Sequence, residues 1–149
     1  MMYKIRVGGR ILVLGFDSPQ LNDLQDRLLR ETIIRALHDK GHPIVPVMEI
    51  ESLFYTSSIR QIRRLTPAAV RGLCDELNAG SACYGSINAE TGRDNQIREG
   101  KRYICSIVYF RRDENKFYDL RFVAIGQKRL DRFFTSLAGE IVARIGGIR

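Results

Sequence analysis

No apolar run in this 149-residue chain approaches the ~20 residues that a helix needs to cross a bilayer. The longest, from Ile11 to Phe16, suits a buried strand, which excludes an integral membrane helix. Cysteine is scarce as well: Cys74, Cys83 and Cys105 cannot build a disulfide framework, and an odd count leaves at least one thiol free or paired between chains. The expected role of all three is that of a small buried hydrophobe. His38 and His42 stand four apart, but Gly41 and Pro43 break any helix that would present them together to a metal. A phosphate loop is also missing. Gly8-Gly9-Arg10 precedes a strand instead of a helix, and the segment from Gly15 to Pro19 lacks the required lysine and places Asp17 where it would repel an anion. The basic stretch Met1 to Arg10 leads into an apolar run too short for a signal-peptide core. The chain is therefore expected either to be cytoplasmic or to begin after a removed leader, and the doubled Met1-Met2 would suit a fragment of a longer polypeptide. No cofactor, metal or enzymatic activity is expected from these residues.

What is present belongs to an ordinary globular protein: 44% apolar and 28% charged residues in a length that suits one domain over 1–149 with a folded core over 10–146. The charge is less ordinary. Lys and Arg number 24 against 17 Asp and Glu, a net charge of +7 that favours an anionic partner such as nucleic acid or a membrane surface. That charge is dispersed along the chain without a dominant basic block.

The hydrophobic pattern predicts a strand at 10–16 and a helix at 19–40, started by Ser18-Pro19 and stopped by Gly41. A short edge strand is expected at 43–48, where two prolines forbid a central place, followed by a partly helical connection over 49–65. Thr66-Pro67 repeats the cap-then-proline signal and opens a helix over 67–78. Strands over 81–89, 102–112 and 116–126 come next, the last two joined by the tight turn Asp113-Glu114-Asn115. Leu130, Phe133, Phe134, Leu137, Ala138, Ile141, Val142 and Ile145 then mark a terminal helix of clear 3.6-residue period. The predicted fold class is α/β: a two-layer mixed sheet of about five strands with helices packed mainly on one face. Crossover helices imply parallel pairing early in the chain and short turns imply antiparallel pairing later.

Three segments carry a family resemblance: Ile11-Leu12-Val13-Leu14-Gly15-Phe16, Leu65-Thr66-Pro67 with the helix ending Glu76-Leu77-Asn78-Ala79, and Tyr84-Gly85-Ser86-Ile87, read as a glycine-containing turn that closes a strand. Over roughly residues 10–146 the chain resembles the amino-terminal domain of TolB and its relatives CsgG and LpoB, proteins of the bacterial cell envelope. The resemblance implies an anticodon-binding-like fold and a non-enzymatic module that binds other envelope proteins, a homo-oligomer being compatible with it. It further implies a periplasmic or envelope-associated location if a leader precedes the chain.

Two candidate sites follow. Pairing Phe110 with Tyr118, Val108 with Leu120 and Ser106 with Phe122 makes those residues the core face and leaves Tyr103, Cys105, Ile107, Tyr109, Asp119, Arg121 and Val123 on the other. Tyr103, Ile107, Tyr109 and Arg121 are then the expected partner-binding residues. The alternative function is nucleic-acid binding, with Arg60, Arg63 and Arg64 sharing a helical face that could track phosphates.

Overall fold

A computed structural model of the chain describes residues 9–56, 65–92 and 95–148, with side chains placed outside 53–56. Its sheet has four strands in the order β1 (Ile11–Asp17), β2 (Ser81–Ala89), β3 (Arg102–Arg111) and β4 (Lys116–Ile125). β1 runs parallel to β2, while β2–β3 and β3–β4 are antiparallel, as the connection lengths predicted. The expected fifth strand is reduced to one bridge, Ile44 beside Ile11. Pro43 and Pro46 supply no N–H, so pairing there is limited to the Ile11 N–H on the Pro43 carbonyl at 2.8 Å and the Val45 N–H on the Ile11 carbonyl at 3.0 Å.

Among the described residues four helices accompany the sheet: α1 (Asp23–Asp39), α2 (Val47–Thr56), α3 (Pro67–Glu76) and α4 (Leu130–Gly146). They lie on both faces, which corrects the expectation of one covered face. Leu29, Ile33 and Leu37 of α1 join the buried α4 stripe against Ile11, Val13, Cys83, Ile87, Tyr103, Cys105, Ile107, Tyr109 and Phe122. On the opposite face Ile50 of α2 and Val70, Leu73 and Cys74 of α3 pack on Leu12, Leu14, Ala82 and Phe110. The second layer exists because Leu12 and Leu14 alternate with Ile11 and Val13, making β1 apolar on both sides.

α1 begins four residues later than its proline suggested. Asn22 forms a capping box in which its Oδ1 accepts from the Gln25 N–H at 2.8 Å and the Gln25 side chain accepts from the Asn22 N–H at 3.0 Å. Ser18 instead makes a turn with Gln20. The buried stripe of α1 is Leu29, Ile33 and Leu37, and Leu24 and Leu28, off that stripe, face solvent. β1 is fastened to α1 at an irregularity in its pairing with β2 between Val13 and Phe16, where the Phe16 N–H donates to Asp26 Oδ1 at 2.8 Å. Burial pushes the Asp26 carboxyl up; the Phe16 hydrogen bond and Arg30, 3.6 Å away, act against that push.

Gly85 sits within β2 instead of in a turn. A Cβ there would lie 2.2 Å from the Ser106 carbonyl oxygen, so the close approach of β2 and β3 requires glycine.

Two stability measurements test this packing. Phe133, 1% exposed and edge-on to Tyr103 at 5.9 Å between ring centroids, is a core residue whose change to alanine should cost about 3–5 kcal/mol by urea denaturation; a loss below ~1 kcal/mol would refute the packing. Asp26→Ala should cost about 1–3 kcal/mol at neutral pH, because the Phe16 N–H loses its acceptor. Since the folded carboxyl binds its proton more tightly than the unfolded one, its contribution is fully present below the unfolded pKa and is lost as pH rises through the raised folded value. That part of the pH dependence should be missing from Asp26→Asn.

Candidate functional site

Among the described residues, the face opposite α1 and α4 is covered at one end. There Phe110 and Phe117 pack at 4.5 Å between centroids, the Arg71 guanidinium lies 5.3 Å over the Phe117 ring, and Arg71 Nε donates to Asn115 Oδ1 at 2.7 Å. Towards the other end of the strands Ser86 of β2, Ile104, Ser106 and Val108 of β3, and Asp119, Arg121, Val123 and Ile125 of β4 share one surface. None of its aliphatic residues belongs to either core cluster. Val123 and Ile125 are 43% and 49% exposed, and Ile104 and Val108 are half-buried. Aliphatic side chains framed by hydroxyls, one carboxylate and one guanidinium form a surface suited to a protein partner.

The register expected for β3 and β4 is wrong by one residue. Arg111 pairs with Lys116, Phe110 with Phe117 and Tyr109 with Tyr118, so Arg112 belongs to the turn. The Asn115 N–H donates to the Arg112 carbonyl at 3.1 Å, and Asn115 takes φ +50°. Because side chains alternate, this slip turns the face of β4 over relative to β3. Tyr103, Ile107 and Tyr109 therefore lie in the α1–α4 core, at 0%, 1% and 9% exposure, and Arg121 lies alone of the four on the open face. Tyr103 is structural in a second way, since its Oη accepts from the Arg98 N–H at 2.7 Å and holds the β2–β3 connection. The residues that sequence reasoning missed are Ile104, Ser106 and Val108. Arg60, Arg63 and Arg64 lie outside the described residues.

Other candidates resolve into structural roles. Cys83 and Cys105 are buried and free, and burial pushes both thiols up to about 12; Cys74 is pushed to about 11 by burial, against the nearby Arg112. Such thiols are poor nucleophiles. Glu49 and Glu51 lie on α2 and are ion-paired: Glu49 receives both Arg10 amino groups at 3.2 and 3.3 Å, and Glu51 meets Arg27 at 3.5 Å. Gly41, at φ +88°, separates His38 from His42, and no cluster of metal-ligating side chains occurs among the described residues.

No family model matches the chain, and no curated protein does. Solved structures do resemble it. Lipoprotein GNA1162 from Neisseria meningitidis is 12% identical, with a TM-score of 0.60 over 94% of this chain and 98% of that one. The LpoB C-terminal domain from Salmonella enterica is 16% identical, with a TM-score of 0.60 over 83% of this chain and 86% of its own. A PelC dodecamer from Paraburkholderia phytofirmans gives 13% identity and 0.55 over 91% and 87%. These likenesses establish a shared fold.

The two faces can be told apart by mutation. Tyr103→Phe should cost about 1 kcal/mol through the lost bond to Arg98. Arg121→Ala should change stability by no more than about 0.5 kcal/mol. Urea denaturation of both variants checks this, and a large loss from Arg121→Ala would make that side chain structural.

Proposed function

We propose that the chain is a non-enzymatic protein–protein interaction module of a bacterial cell-envelope assembly, related to the TolB amino-terminal domain and its anticodon-binding-like relatives, and that it acts as one α/β domain with its core over 10–146. The observation that carries this reading is the open end of the sheet, where Ile104, Val108, Val123 and Ile125 leave apolar surface outside both cores. Similarity in fold to a lipoprotein, to the LpoB C-terminal domain and to the subunit of a PelC dodecamer supports an envelope setting, periplasmic or membrane-associated, and partners that include other envelope proteins or further copies of the chain.

The excess of arginine supports the nucleic-acid alternative less than its number suggests. Arg27, Arg102, Arg111, Arg112, Arg129 and Arg144 each sit within 4 Å of a carboxylate, which offsets the field locally at those side chains and leaves the net charge of +7 to other basic residues. Among the described residues the open end of this face carries one aromatic, half-buried Tyr84 beside Val108, where single strands use a succession of stacked aromatics.

A photo-crosslinking residue at position 106 should capture envelope proteins, and Ile104→Asp with Val108→Asp should abolish capture while the melting temperature stays within a few degrees. Tight binding to single-stranded RNA at low salt, falling steeply as salt rises, would instead establish the nucleic-acid function.

A further inference from the structure

β4 forms one border of the sheet, and among the described residues no strand pairs with its outer side. Gly126, just past β4, donates its N–H to the Lys101 carbonyl at 2.8 Å and so bonds inward. Alternate residues back along the strand, from Ile125 through Val123, Arg121 and Asp119 to Phe117, consequently turn both main-chain groups outward. The Arg121 carbonyl agrees with this, since its contact is with Arg144 of α4 and not with β3. Four of these residues, Ile125, Val123, Arg121 and Asp119, also carry side chains of the open face, and Phe117 lies at its covered end. The border thus offers a ladder of free N–H and C=O groups beside exposed apolar surface.

We propose that this border pairs antiparallel with the same border of a second copy of the chain, centred on Leu120, to make a continuous eight-stranded sheet. The pairing rests on the reading of the open sheet as a protein-binding surface and names its partner. The charges specify it. A lone charge on a border strand opposes pairing, but Asp119 and Arg121 are opposite in sign, two residues apart and on one face. With Leu120 at the twofold axis, Asp119 of each copy stands opposite Arg121 of the other, and Phe117 stands opposite Val123. Moving the centre by one residue in either direction sets Arg121 against its own copy or Asp119 against its own copy. Only the Leu120 centre gives two reciprocal ion pairs, and among the described residues neither charged side chain has a partner within its own chain. On the covered face the same register brings half-buried Leu120 against itself and Tyr118 against Phe122. Among the described residues Arg144 stands in the way: its guanidinium lies 5.0 Å over the Phe122 ring and donates to the Arg121 carbonyl at 3.5 Å, a long bond that must open for pairing.

Sedimentation equilibrium of the full chain over concentrations up to about 1 mM, which reaches even weak association, tests the pairing by charge exchange. The parent chain should form a dimer. Asp119→Arg alone or Arg121→Asp alone places like charges across the axis and should weaken the dimer at least about tenfold. The double exchange Asp119→Arg with Arg121→Asp should restore it to within about threefold of the parent. Val123→Pro, which removes an outward N–H and leaves the β3 ladder whole, should abolish dimers without unfolding the chain. A monomer at every concentration, an oligomer indifferent to the single reversals, or a double exchange that fails to restore association overturns the proposal. Folding of each variant is checked by circular dichroism. Capture of other proteins through position 106 that survives in monomeric Val123→Pro would show that the protein-binding reading stands when self-pairing has failed.

Discussion

The register of the β3–β4 hairpin decides which surface this protein shows. One face of β3 carries Tyr103, Cys105, Ile107 and Tyr109, and one face of β4 carries Tyr118, Leu120, Phe122 and Ala124. Only an alignment that puts these two apolar sets on the same side lets α1 and α4 bury both. The turn from Arg112 to Asn115 supplies that alignment, with Asn115 in the left-handed region. Every later feature of the open face follows, including the placement of Asp119 and Arg121 beside Ile104, Ser106 and Val108.

Segments in which one signal dominates were legible from sequence. α4 has an uninterrupted stripe from Phe133 to Ile145, and all seven stripe residues within that span are buried. Thr66 caps α3 as read, accepting from the Ala69 N–H at 3.1 Å. The start of α1 was not, because two cap signals compete within five residues. Asn22 with Gln25 satisfies two N–H groups reciprocally, whereas Ser18-Pro19 offers a single capping oxygen. The fifth strand failed on donors: a segment flanked by prolines cannot extend a ladder, however extended it is.

For the site, three of the four expected residues lie in the core, because a single residue of register exchanges which β3 side chains stand beside Arg121. The correcting signal lay in the strands themselves. The β3 set headed by Tyr103 contains no polar side chain beyond its tyrosine hydroxyls, while the alternate set contains Ser106. In β4 Asp119 and Arg121 both fall at odd positions and leave Tyr118, Leu120, Phe122 and Ala124 as the apolar partners. Matching apolar with apolar sets the register without reference to the turn, and the turn length then has to be four. Reading Asp113-Glu114-Asn115 as the whole turn reversed that order of inference.

The two borders of the sheet are finished by different physics. β1 is closed within the chain, since Ile44 occupies its outer side, prolines on either side prevent further growth, and Arg10 locks the adjoining helix by bonding Glu49 and the Leu77 carbonyl. β4 has no such closure among the described residues, and its only cover on the Arg121 carbonyl is one long bond from an arginine already held by Glu140 at 2.8 Å. A border with unlike charges on one face does not repel a copy of itself as a uniformly lysine-studded border would. Among the described residues, β1 is apolar on both sides and carries helices on both, whereas the mixed alternation of β4 leaves Val123 and Ile125 outside either core, so the composition of each border strand decides how far the layers reach across the sheet.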